Sequence, residues 1–231
     1  MDDAMLLIHQ LVSSCCFRQL ECLGILNCKN LPRLLIDLVN DARIGAEEAE
    51  KEYGENVIDN SLFPHLKELM LSKLPDLRCV VPLNTQKVYF ANLKSVDVSA
   101  CERLLHFSSL SVARIFSQHV EILTFKHCKE MEQVFILEDN EVDGADQSRI
   151  PDIQFPRLKM LKLYKLQALT SFCKGVNNTE FPSLMNLEIS GLNNIKGLVI
   201  PTYGEQSSGG MDFLFGTKVS FGGLKTQGIR Q

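Results

Sequence analysis

The sequence predicts an α/β array of stacked repeats, with a curved parallel sheet on its concave side and irregular or short helical segments on its convex side. Three observations lead there. The stretch FPHLKELMLSKLPDLRCV at 63–80 recurs as FPRLKMLKLYKLQALTSF at 155–172, with apolar side chains at the same offsets. One spacing, F-x-x-L-x-x-L-x-L-x-x-(C/L)-x-x-L, fits six places in the chain. Successive starts lie 46, 27, 27, 38 and 26 residues apart, so the shortest spacings define the unit and the longer ones are units carrying insertions. Periods of this size mark arrays in which each unit needs its neighbours to bury its flat sides.

The copies run in order along the chain. FRQLECLGILNCKNL begins at Phe17, FPHLKELMLSKLPDL at Phe63 and FANLKSVDVSACERL at Phe90. SQHVEILTFKHCKEM, from Ser117, replaces the leading Phe, and the pattern resumes at Phe155 and again at Phe181. A seventh start, FGGLKTQGI at Phe221, carries Gln227 where an apolar residue belongs. Copies one and four share a Cys-Lys pair at Cys28 and Cys128 and are followed by acidic insertions, whereas copies two and five share the Phe-Pro start. The array therefore reads as a duplicated set of three.

Within a unit, Leu69 and Leu71 stand two apart, which places them on one face of a short strand. Leu66, Leu74 and Leu77 extend that buried edge on either side of the strand. Residues of the opposite phase then face outward. They are Cys22, Gly24 and Leu26; Glu68, Met70 and Ser72; Ser95, Asp97 and Ser99; Ile122, Thr124 and Lys126; Met160, Lys162 and Tyr164; and Asn186, Glu188 and Ser190. From this set the candidate contact residues are Glu68, Met70, Ser72, Asp97, Ser99, Thr124, Lys126, Met160, Lys162, Tyr164, Asn186 and Glu188. Met and Tyr are favoured where proteins meet, and Lys126, Lys162 and Lys165 would suit an anionic contact in the second half.

The unit resembles the leucine-rich repeat, L-x-x-L-x-L-x-x-(N/C)-x-L. Its polar-ladder position holds Cys28, Cys101 and Cys128 in three copies and Leu74, Leu166 and Leu192 in the others. The FPxLxxLxLxxLxxL form, the stretch VEILTFKHCKEMEQVF at 120–135 and the acidic insertion before IQFPRLKMLKL resemble the repeat region of plant intracellular immune receptors. These are the coiled-coil, nucleotide-binding, leucine-rich-repeat disease resistance proteins, and the resemblance extends over roughly residues 5–229. It implies a leucine-rich-repeat solenoid acting in defense against pathogens. Its partner would be a pathogen effector, a guarded host protein or the nucleotide-binding region of the same or a related receptor. The alternative is a generic leucine-rich-repeat adaptor, such as the substrate-binding region of a ubiquitin ligase.

The expected organisation is a ragged N-terminal end or tail of an upstream repeat at 1–16, six repeats over 17–198, a Gly/Ser-rich insertion at 199–220 and a truncated seventh repeat at 221–231. Acidic insertions fall at 35–62 and 135–154. Residues 37–60 carry six net negative charges and residues 138–152 five, against −4 for the whole chain, which leaves the repeats near +7. Such runs have little to bury and are expected to be solvated loops. In the third insertion the apolar knot Phe213–Phe215 is expected to pack back on the array. No polar cap units are recognisable, so the sequence reads as a fragment of a longer receptor or a truncated product.

Composition narrows the remaining classes. A net charge of −4 argues against a nucleic-acid partner. The start MDDAMLLIHQLVSS has acids where a signal peptide is basic, and no apolar run approaches a membrane span. The expected location is the cytoplasm or nucleus, with the eight cysteines reduced. No phosphate-loop motif and no C-x-x-C pair occurs, so neither a nucleotide, a zinc ion nor any other cofactor is expected. His127 beside Cys128 would form a thiol–imidazole pair only if the two side chains shared a face, and neighbours in a strand do not. The chain is therefore expected not to be an enzyme.

Overall fold

A computed structural model of the chain describes residues 19–31, 63–81, 90–137, 152–174, 176, 178–194, 214–215, 218–222 and 226–230. The acidic insertions lie outside these residues, apart from their fringes at 135–137 and 152–154. Seven strands form one parallel sheet: β1 (Cys22–Leu26), β2 (Glu68–Ser72), β3 (Ser95–Ser99), β5 (Ile122–Lys126), β8 (Met160–Tyr164), β11 (Asn186–Ser190) and β13 (Thr226–Arg230), side by side in chain order. Every one of them begins five residues after the start of its copy, so the register of the sheet is the register of the sequence repeat. Leu69 aligns with Leu23 and Val96, and Leu163 aligns with Phe125 and Ile189. The seventh copy completes the series despite Gln227, which aligns with Leu187.

Two smaller parallel sheets lie away from the main one. β4 (Ser108–Ser109), β6 (Gln133–Ile136) and β9 (Ser171–Cys173) form the first, and β7 (Ile153–Gln154), β10 (Asn178–Phe181) and β12 (Lys218–Phe221) the second. The repeat pattern predicts irregular or short helical segments there; pairing between successive units instead satisfies those backbone groups, as burial requires. One helix is described, α1 (Leu110–Ser117), capped where Val112 N donates to Ser109 Oγ at 3.4 Å. The architecture is thus mostly parallel sheet with little helix, an α/β repeat arrangement.

The apolar positions of the repeat form one core. Leu66, Leu69, Leu71, Leu74 and Leu77 are at most 1% exposed, and so are Leu158, Leu161, Leu163, Leu166 and Leu169 five copies into the chain. The leading phenylalanines build a column of rings. Phe155 stacks on Phe135 at 5.8 Å and on Phe181 at 5.5 Å, and Phe181 stacks on Phe221 at 5.6 Å. Where Ser117 replaces Phe, α1 supplies Phe116 one residue earlier, against Phe107 and Phe135. Ser117 is buried and donates its hydroxyl to Arg114 O. Leu214 and Phe215 are buried, with Phe215 against Phe172, Phe181 and Phe221, so this part of the apolar knot packs onto the column. Phe213 lies outside the described residues.

A left-handed turn ends every fully described strand of the main sheet. Asn27, Lys73, Ala100, His127, Lys165 and Gly191 occupy the same place in their copies, all with φ between 52° and 67°. The turn keeps the next amide in the ladder: Ala100 N donates to Lys126 O, His127 N to Tyr164 O and Lys165 N to Ser190 O, at 2.8–2.9 Å. Only one of the six is glycine, although this conformation costs other residues about 1–2 kcal/mol. At Gly191 an added Cβ would also lie 3.1 Å from Lys165 Cγ. Gly191→Ala is therefore expected to lower stability by about 1–2 kcal/mol, measured by urea unfolding; an unchanged midpoint would contradict the turn assignment.

Candidate functional site

The strands of the main sheet present one face to the core and the other to solvent. On β1, β2, β3, β5, β8 and β11 the second and fourth residues point inward, and the first, third and fifth form three rows across the outer face. The first row runs Cys22, Glu68, Ser95, Ile122, Met160 and Asn186; the second Gly24, Met70, Asp97, Thr124, Lys162 and Glu188; the third Leu26, Ser72, Ser99, Lys126, Tyr164 and Ser190. All twelve candidate contact residues therefore belong to one surface. Glu68, Met70, Tyr164 and Glu188 are exposed, while Ser72, Asp97, Ser99, Lys126, Met160, Lys162 and Asn186 are half-buried.

Thr124 departs from expectation. It sits in the outward phase but is 4% exposed. It supports the face and offers it little surface. Lys126 and Lys162, two of the lysines that would suit an anionic contact, each lie beside a carboxylate of the chain itself. Lys126 Nζ lies 3.5 Å from Asp97 Oδ2, and Lys162 Nζ lies 2.9 Å from Glu188 Oε1. Both pairs join adjacent units and leave these lysines with carboxylates of their own. Ser99 Oγ donates to Ser72 Oγ at 2.9 Å, another link between units.

Apolar groups concentrate on the same face. Of the six large apolar side chains exposed among the described residues, four stand in its rows: Leu26 at 57%, Met70 at 49%, Tyr164 at 38% and Ile122 at 37%. Leu26 and Ile122 belong to the outward phase but lie outside the twelve candidate contact residues. His127 is a further residue the strand pattern missed. It follows β5 in the left-handed turn, is exposed, and places its ring edge-on to Tyr164 with centroids 5.2 Å apart. The chemical variety at the turn position hides the turn from sequence.

The edge of the face is laced by exposed ion pairs between successive units. Lys67 pairs with Glu21 at 2.5 Å and Lys159 with Glu121 at 2.6 Å. Their hydrogen bonds hold both carboxyls below the ordinary carboxylate range. Arg103 and Asp76, and Lys129 and Glu102, form equivalent pairs in the turns. Exposed pairs of this kind are screened by solvent and lose side-chain entropy on forming, so they tune alignment more than stability.

Thiol chemistry is suppressed in the core. His127 and Cys128 lie beyond the end of β5 rather than within it, with His127 exposed in the turn and Cys128 fully buried. Burial pushes the Cys101 thiol from its ordinary 9.0 up to about 11, and burial, reinforced by Cys101 beside it, pushes Cys128 up to about 12. Below pH 9 both groups stay protonated in the folded and unfolded chain, and their contribution to stability is complete. Above it the unfolded chain loses protons that the fold retains, so stability declines towards pH 11–12. The expected slope is about 2 kcal/mol per pH unit near pH 10. Urea titrations of the chain and of its Cys101→Ala/Cys128→Ala variant test this, the variant having the shallower slope. Equal slopes would contradict it.

Among the described residues no three His, Cys, Asp or Glu side chains cluster as metal ligands, and no helix is long and apolar enough to cross a membrane.

A series of in-register parallel strands, six of them followed by the same left-handed turn and set over a shared apolar core, defines a leucine-rich-repeat protein. The sequence model of the family described as plant disease resistance protein RPS2-like, leucine-rich repeats, matches residues 4–121, a little more than half of the chain. The chain belongs to that family. No curated protein and no solved structure gives a match.

Proposed function

We propose that the chain is the protein-recognition module of a plant intracellular immune receptor, a curved solenoid whose concave face is the outer face of the seven-stranded sheet. The observation that carries this reading is the concentration of Leu26, Met70, Ile122 and Tyr164 on that face. Apolar and aromatic groups held in water by a rigid sheet are the usual anchors of protein contacts. The neighbouring Glu68, Asp97, Lys126, Lys162, Asn186 and Glu188 supply the polar groups that set specificity. The partner is a pathogen effector, a guarded host protein or the nucleotide-binding region of a receptor, met in the cytoplasm or nucleus during defense. The role is binding, with no catalytic step, cofactor, nucleic acid or membrane.

In this reading residues 17–198 are six repeats, 199–220 is an insertion and 221–231 is the start of a seventh. A photo-crosslinking amino acid placed at Met70 or Tyr164, or at Ser111 on α1 as the comparison, tests the face in leaf cells challenged with a pathogen. The expected result is a discrete protein adduct from the two sheet positions alone. Adducts of equal yield from Ser111 would overturn the assignment.

A further inference from the structure

At the C-terminal ends of β5 and β8 one aromatic ring is flanked by basic side chains. Tyr164 aligns with Lys126 on β5, follows Lys162 by two residues on the same face, and is contacted by His127 and Lys165. Lys165 Nζ stands 5.2 Å from the ring centroid, and the His127 ring is edge-on at 5.2 Å. The ring is thereby held in one orientation while 38% of the residue stays in water. A pre-oriented, half-exposed aromatic loses little entropy on binding.

The charge around it is unbalanced. Lys126 and Lys162 are matched by Asp97 and Glu188, but among the described residues Lys165 forms no ion pair and has only the π-face of Tyr164. A cation over a ring in this way keeps its charge available to a second partner. The patch lies on β5 and β8, whose neighbours β3 and β11 are both described. Its exposure thus does not depend on what adjoins either end of the sheet, whereas the Leu26–Met70 patch stands on the edge strand and its neighbour.

We infer that this patch anchors an acidic segment of a partner protein, with an apolar side chain on Tyr164 and a carboxylate at Lys165. The inference rests on the outer face being the recognition surface and names the chemistry of its partner. A nucleic acid fits less well, because the few cations form no continuous basic stripe.

A random peptide library displayed on phage and selected on the full chain tests it. Recovered peptides are expected to be enriched in Asp and Glu, and their binding to fall about tenfold with Tyr164→Ala or Lys165→Glu. Tyr164→Phe should retain it, and Arg114→Glu on α1 should bind as the unaltered chain does. All three positions are exposed, and matching circular dichroism melts would show the variants folded. Recovery of neutral or basic peptides, indifference to Lys165→Glu, or preference for a labelled oligonucleotide over the acidic peptides would overturn the inference. Peptides depending on Met70 but not on Tyr164 would overturn it too, yet leave the outer face as the recognition surface.

Discussion

Leu163→Asp is expected to abolish cooperative folding of the array. Leu163 lies on β8, in the interior of the main sheet, aligned with Phe125 on one side and Ile189 on the other, and is fully buried. A carboxylate there has no water and no cation, so it either takes up a proton at a cost or forces the units apart. The expected loss is about 4 kcal/mol or more, against a total of about 5–15 kcal/mol for an ordinary domain. Far-UV circular dichroism and urea unfolding would read it. The neighbouring Lys162→Ala removes only a partly exposed pair with Glu188 and is expected to change stability by about 1 kcal/mol or less. Equal effects at these adjacent residues would mean that the inward and outward phases are wrongly assigned.

Phe155→Ala is expected to have the second largest effect. Its ring touches Phe135, Phe172 and Phe181 at centroid distances of 5.5–5.8 Å and is fully buried. Truncation leaves a hole bordered by three rings that are themselves fixed by further rings, so the site can collapse only in part. The cost is expected at about 3–5 kcal/mol. Phe155→Leu should recover much of it, since it restores most of the volume but not the stacking. Urea midpoints for the two variants would check this. A change of under about 1 kcal/mol on truncation would mean that the phenylalanine column does not bind the units together.

The repeat made the main sheet legible because its physics is local and repeated. Leu69 and Leu71, or Leu161 and Leu163, state in two letters which face is buried, and each copy confirms the others. The two small sheets were not legible. Segments such as Ser108–Ser109 and Ile153–Gln154 are too short to show a period, and they become strands only because the neighbouring unit offers them partners. The left-handed turn was hidden for a different reason. Its φ is imposed by the ladder bond to the next strand, so Asn, Lys, Ala, His, Lys and Gly all occupy it. The outer rows followed from phase alone. What phase could not supply was coverage, as at Thr124, and pairing, as at Lys126 and Lys162. Both depend on which residue stands opposite on the adjacent coil, up to 38 positions away in sequence. The partner's identity lies in no single residue of this face.

Amide hydrogen exchange at Ala100, His127 and Lys165 tests the stacking of the coils most directly. Each of these residues sits in a turn just past its strand, where an amide without a partner would exchange as fast as in an unfolded chain. Donation to the carbonyl of the following coil should instead slow them together with the amides of β3, β5 and β8. Exchange at free-chain rates would show that the coils are not aligned in parallel register, and the outward-facing rows would have no surface to share.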